Sequence, residues 1–268
     1  MEGNVMKHFK WMLTVLLLVT TICFMACTST KADGSGGDTV EIAAEPAATS
    51  NVVEIMFNDG TSVAYTSDLS LTEEQKSKAI AVIYKTDGDK AYGVGLVQNT
   101  NGLAWCLNSA KGFGTKITDI LCTVSRSGDD RNGENLSFTG DTDGSDNFAK
   151  IGEALGADND TDDLSKYPAF GFAINYKDNA DSHVAGTAYE TGWYLPTISE
   201  MYDIWKEKET VNAAIALCGG TQFSNRWYWT SSQHDENDGA CWFDFSNSGD
   251  GRNVKMEPTN AVCAIRKF

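Results

Sequence analysis

Apolar residues recur along this chain with two periods, and the period changes at recognisable stop signals. Val52 to Phe57 and Thr61 to Thr66 flank Asn58-Asp59-Gly60, the pattern of a β-hairpin. Ile80, Val82 and Tyr84 alternate as in a strand, and Thr86 to Lys90 turns the chain back into Ala91 to Val97. Phe170, Phe172, Ile174 and Tyr176 alternate in the same way, as one face of a further strand. Helical spacing joins Phe148, Ile151 and Leu155, then Ile198, Met201, Tyr202 and Trp205. Val211, Ala214, Ile215 and Cys218 repeat it before Gly219-Gly220 ends the helix. Thr72 with Gln75, and Thr197 with Glu200, match capping boxes that start helices. These stripes read as core. Short Trp-rich strands follow at Tyr228 to Ser232, Trp242 to Phe245 and Val262 to Arg266, so the class is α+β, with mostly antiparallel strands and no internal repeat.

The first fifty residues follow neither period. Lys7 and Lys10 precede an apolar run, Trp11 to Met25, too short to span a bilayer comfortably, which describes a secretory signal peptide over residues 1–26. Cys27 directly after Ala26 resembles a bacterial lipoprotein signal, in which Cys27 becomes the first mature residue and carries the lipid. The bland reading is ordinary cleavage near Ala26. Each buried CH₂ contributes about 0.8 kcal/mol, so two or three acyl chains anchor a protein without a spanning helix. Residues 27–50, rich in Ser, Thr, Gly, Ala and Asp, bury too little to offset ordering entropy and read as a tether. Residues 51–268 suffice for one domain with a sizeable core.

A net charge of −16 argues against a nucleic-acid partner, because no basic stripe is available to neutralise phosphates. Cys106, Cys122, Cys218, Cys241 and Cys263 match no zinc or CxxC spacing; most read as small buried residues, and a disulfide among them cannot be paired from sequence. Asp158 to Asp163 looks like a calcium loop, but the sixth position is Asp163 where an EF-hand needs Gly, and the twelfth is Ala169 where it needs Glu. Glu257-Pro258-Thr259-Asn260 approaches the Glu-Pro-Asn of sugar-binding lectins, with Thr259 inserted. His183 and His234 have no neighbouring Ser or Cys in a nucleophilic arrangement. No cofactor or metal is expected, and no catalysis.

Gly192-Trp193-Tyr194-Leu195-Pro196-Thr197 with Glu200 resembles the W-R-L-P-T-x-x-E signature of bacterial surface domains with a C-type lectin fold. Tyr228 to Ser232, Ala240 to Phe245 and the end at Arg266 fit the same pattern, which covers roughly residues 192–268 well and the upstream half loosely. With the lipoprotein start, the chain is similar to the treponemal variable lipoproteins, which a diversity-generating retroelement diversifies. The resemblance implies a lectin-like domain of the formylglycine-generating-enzyme subtype over residues 51–268, its variable region at about 223–268. It also implies display on the cell envelope, with the outer membrane surface expected, and a protein or glycan on another cell or a host surface as partner.

In such proteins mutagenesis acts at template adenines, which cannot produce Trp, Lys, Met, Glu or Gln. By that filter Trp227, Trp229, Gln233, Glu236, Trp242, Lys255, Met256 and Glu257 are unvarying frame, with Trp229 and Trp242 expected in the core. Asn225, Arg226, His234, Asp235, Asn237, Asp238, Asp244, Asp250, Arg252 and Asn253 remain as candidate ligand contacts, with Tyr228 and Phe243 either apolar anchors among them or core. The bland alternative makes them ordinary loop residues. Two other functions stay open: an unvarying adhesin or structural envelope lipoprotein, and a formylglycine-generating-type enzyme, for which Cys241 and Cys263 are the nearby thiols.

Overall fold

The structure, a computed structural model, describes residues 52–127, 136–247 and 249–268, apart from the side chains of 252–254. The leader, the tether and Cys27 lie outside the described residues. In chain order the first elements are β1 (Glu54–Phe57), β2 (Ser62–Ala64), α1 (Glu73–Lys78), β3 (Ala79–Asp87), β4 (Lys90–Gly95) and β5 (Asn99–Leu103). Next come β6 (Cys122–Arg126), β7 (Leu136–Gly140), α2 (Asn147–Leu155), α3 (Pro168–Ile174), β8 (Trp193–Tyr194), α4 (Ile198–Lys206) and α5 (Lys208–Leu217). The C-terminal part adds β9 (Trp227–Gln233), β10 (Gly239–Asp244), β11 (Gly249–Val254), β12 (Asn260–Val262) and β13 (Ile265–Lys267). The arrangement is α+β.

A six-stranded sheet runs β2-β1-β3-β4-β13-β8, a five-stranded sheet runs β11-β10-β9-β12-β5, and β6 pairs with β7 alone. Pairing between strands is antiparallel except where β12 runs parallel to β9. Ala79 to Tyr84 are buried on both faces, because β3 is a central strand with a core on each side. Val82 and Tyr84 join the cluster that includes Met201, Ile204 and Ile215 of α4 and α5. Ala81 and Ile83 join the cluster around Trp105, Phe170 and Trp193.

Phe170 to Tyr176, expected as a strand, form helix α3 and a following 3₁₀ turn, Tyr176–Asp178. Pro168 opens α3 at a position whose N–H would be unbonded anyway. Seven residues make two turns, too few for a helical period to stand out from alternation.

Both capping boxes form. Thr72 Oγ1 accepts from Gln75 N at 3.2 Å, and Gln75 Oε1 accepts from Thr72 N at 2.9 Å. Thr197 Oγ1 accepts from Glu200 N at 3.2 Å, and Glu200 Oε2 accepts from Thr197 N at 2.8 Å. The second box is buried and tied to its surroundings. Gly144 N donates to Glu200 Oε2 at 3.1 Å and Tyr194 OH to Oε1 at 2.8 Å, while burial pushes the carboxyl up to about 7. The two sequence motifs also bond to each other: Ser231 N donates to Pro196 O at 2.7 Å, and Ile198 N to Ser232 Oγ at 3.1 Å. These bonds seat α4 against β9, and β9 with β10 carries most of the candidate ligand contacts.

Candidate functional site

The β9–β10 hairpin alternates sharply between its faces. Tyr228 lies opposite Phe243, and Trp229 opposite Trp242, so the two pairs point to opposite sides of the ribbon. Tyr228 and Phe243 are completely buried, packed among Phe223, Phe245 and Tyr202. Both are therefore core. A ligand could reach them only by opening the sheet. Trp229 is also buried, its Nε1 donating to Leu103 O at 2.7 Å. Trp242, expected in the core, is only half-buried; it lies opposite Gly251 of the edge strand β11, which has no side chain to cover it.

The hairpin's turn, residues 234–238, is held in a distinctive way. Gln233 is buried; its Nε2 donates to Thr115 O at 2.9 Å and Asn237 O at 3.1 Å, and its Oε1 accepts from Ile117 N at 2.9 Å. Lys255 is buried too. Its ammonium donates to Gly112 O at 2.7 Å, Asn237 O at 2.8 Å and Thr115 O at 3.2 Å, and lies 4.9 Å from the Trp105 ring centre. Burial lowers this amine to about 8. Backbone bonds His234 N to Gly239 O, Gly239 N to Glu236 O and Lys255 N to Asp238 O complete the turn. Gln233 and Lys255 thus grip carbonyls that any residue would supply.

The turn's side chains point elsewhere. Asp235, Asn237 and Asp238 are exposed and His234 half-buried. Asp235 pairs with Lys116, which holds its carboxyl below the usual range, and His234 Nδ1 sits 3.4 Å from Glu236 N. The Asn237 and Asp238 side chains have no hydrogen-bond partner among the described residues.

The remaining candidates divide between two places. His234, Asp235 and Asp250 line a cleft of about 660 Å³ with Thr123 and Val124 of β6 and with Cys241. Asp250 there pairs with Arg126. Asn225 and Arg226 border an open depression of about 350 Å³ with Trp227 and Thr259. Asp244 is half-buried and accepts from Trp227 Nε1 at 3.2 Å and Ser246 N at 2.8 Å, so its first role is to brace its neighbours. Arg252 stands opposite Cys241 and Asn253 opposite Ala240 in the strand register; their side chains lie outside the described residues.

Trp227 is an exposed aromatic that the adenine filter assigns to the frame. It is 46% exposed yet cannot vary by that filter, and so reads as frame. Its signal in the sequence is its place at the first position of a strand, directly after polar Asn225-Arg226.

The thiols are unbridged and buried among the described residues. Burial pushes Cys106, Cys122, Cys218 and Cys241 up to about 12 and Cys263 higher still, so all are protonated at neutral pH. Cys263 Sγ faces the Met201 sulfur at 3.5 Å. Among the described residues no group of three His, Cys, Asp or Glu could hold a metal ion. Asp160 of the calcium-like stretch bonds to Tyr167 and Lys166. His183, at φ 57, meets Ala79 O at 3.0 Å.

No family model matches the chain, and no curated protein does. Among solved structures it is similar to a fimbrial protein from Bacteroides ovatus, at 13% identity and a TM-score of 0.49. The match covers 81% of this chain and 48% of that one, so the chain spans about half the length of its structural neighbour. No helix among the described residues is long and apolar enough to cross a membrane.

Proposed function

We propose that this chain is a surface-displayed, lipid-anchored binding protein. In this reading a C-type-lectin-like domain presents side chains of the β9–β10 turn and the adjoining cleft to varied ligands, a protein or glycan on another cell or a host surface. One observation carries the reading. The turn at 234–238 is held by Gln233 and Lys255 at the main-chain carbonyl of Asn237, so the exposed side chains of Asn237 and Asp238 are free to differ while the backbone stays in place. Loops held on a rigid scaffold are where binding residues concentrate, and surface substitutions seldom exceed about 0.5 kcal/mol. The mixture of hydrogen-bond donors and acceptors, with acidic groups among them, suits directional recognition.

The test is to replace His234, Asn237 and Asp238 together by Ala in the full chain. Melting should stay unchanged, while the partner that the wild-type protein captures from a surface-protein and glycan array is lost. Full-strength capture by the variant contradicts the reading. Fatty-acid labelling of wild type and Cys27→Ser tests the anchor: label on the wild type alone is the expected result. A second reading, an unvarying adhesin, is favoured by Trp227, whose exposed ring is a fixed feature of the same hairpin.

A further inference from the structure

Trp227 of β9 and Trp242 of β10 form a slab on one face of the five-stranded sheet. Their rings stack with centres 4.5 Å apart and planes 12° from parallel. Behind Trp242 lies Gly251, where a Cβ would approach Cζ2 to 2.3 Å, so only glycine lets that ring lie flat across β11. Trp227 Nε1 donates to Asp244 Oδ2 at 3.2 Å, which fixes the indole and satisfies its only donor. One face of Trp227 is covered by Trp242; the solvent-accessible part is the other face and its edge, flat, apolar and held in advance. Beside it, the open depression of about 350 Å³ is bordered by the Asn225 amide, by the Arg226 guanidinium, one of whose five N–H groups donates to Thr100 O, and by Thr259, whose hydroxyl donates to Asn260 Oδ1 at 3.1 Å.

We propose that this face binds a pyranose ring of a glycan, stacked on Trp227, with its hydroxyls directed to Asn225, Arg226 and Thr259. A pyranose carries weakly positive C–H groups on one face, which suit the negative π-face of an indole. Its hydroxyls both donate and accept around the rim, and the amide and guanidinium match that mixture. An apolar side chain of a protein partner would need a desolvating pocket, and this depression is too open to supply one. The inference rests on the chain being a binding protein, but not on the turn at 234–238.

The experiment is saturation-transfer NMR on the full-length protein in detergent. The probes are methyl glycosides of glucose, galactose, mannose, N-acetylglucosamine and glucuronic acid. At least one should bind, with saturation concentrated on the C–H protons of one ring face. Trp227→Ala should weaken it about tenfold at unchanged melting, and Trp227→Phe, which keeps a flat ring, should retain part of the affinity. A ligand lost with Arg226→Ala only in the glucuronate arm identifies an acidic sugar; equal weakening across arms identifies a neutral one. The proposal is overturned if no glycoside binds, if Trp227→Ala leaves saturation unchanged, or if Trp227 instead captures a protein. Sugar binding that survives replacement of the 234–238 side chains while partner capture fails separates this site from the turn.

Discussion

The acidic stretches 158–163 and 234–238 read alike in the sequence, yet they are held in opposite ways. The first is held by its own side chains. Asp160 is buried; its carboxylate accepts from Tyr167 OH at 2.6 Å, Lys166 Nζ at 3.1 Å and Lys111 N at 3.1 Å. Asn159 Oδ1 accepts from Thr161 N at 2.9 Å and Asp163 Oδ1 from Ser165 N at 3.2 Å, so here the acidic and amide groups are the structure. The second stretch is held by Gln233 and Lys255 from outside, at the carbonyl oxygen of Asn237, which ties it to the 112–117 segment that the same two side chains bond. Polar composition is therefore a poor guide to function. The informative question is whether a loop's side chains or its backbone make the bonds that fix it.

The largest test of this contrast is Lys255→Met. The substitution keeps apolar volume but leaves the buried Gly112 carbonyl without its donor and leaves those of Thr115 and Asn237 to Gln233 alone. A loss of about 3 kcal/mol is expected by chemical denaturation, together with faster amide exchange in residues 234–238. A stable variant with a protected turn would show that the turn holds itself.

Glu200 tests the frame that seats β9. Its unfolded carboxyl titrates near 4.5 and its folded one near 7. Between those values the folded state keeps a proton that the unfolded state has released, so stability falls as pH rises from 4.5 to 7 and levels above it. The difference amounts to at most about 3 kcal/mol. Glu200→Gln should remove that slope, and a parallel pH profile in wild type and variant would contradict the assignment.

Asp160→Ala is the smaller counterpart. Burial pushes this carboxyl up, but its bonds to Tyr167, Lys111 N and Lys166 outweigh that and hold it below the ordinary value. Its stabilisation is thus present above that ordinary value and lost as pH falls through the depressed one. Removing it should cost about 1–2 kcal/mol in urea denaturation at neutral pH, and no change there would erase the distinction between the loops.

Much of the frame was legible in the sequence because its signals are local. Thr72 with Gln75 and Thr197 with Glu200 each place a hydroxyl and a carboxyl or amide within one helical turn, and both boxes form. The stripes at Ile198 to Trp205 and Val211 to Cys218 correspond to α4 and α5. Helix α3 was not legible, since two turns carry too short a pattern to separate the periods. The side to which Tyr228 and Phe243 turn depends on which strands flank β9 and β10, a long-range fact with no local signature. Lys255 stood out only as a residue that the resemblance assigns to the frame, and nothing near it in the chain announces that three carbonyls converge on it. Trp227 was obscured for a related reason: residues that the resemblance assigns to the frame are easily taken for buried ones, and this one is exposed.

The most direct measurement is a parallel substitution scan of both loops in the full-length protein displayed on cells, with protease resistance reporting the folded fraction. Nearly every residue placed at Asn237 or Asp238 should leave resistance at the wild-type level, whereas most replacements of Asp160 should lower it. Equal sensitivity of the two loops would contradict the claim that the side chains of Asn237 and Asp238 take no part in fixing the turn at 234–238.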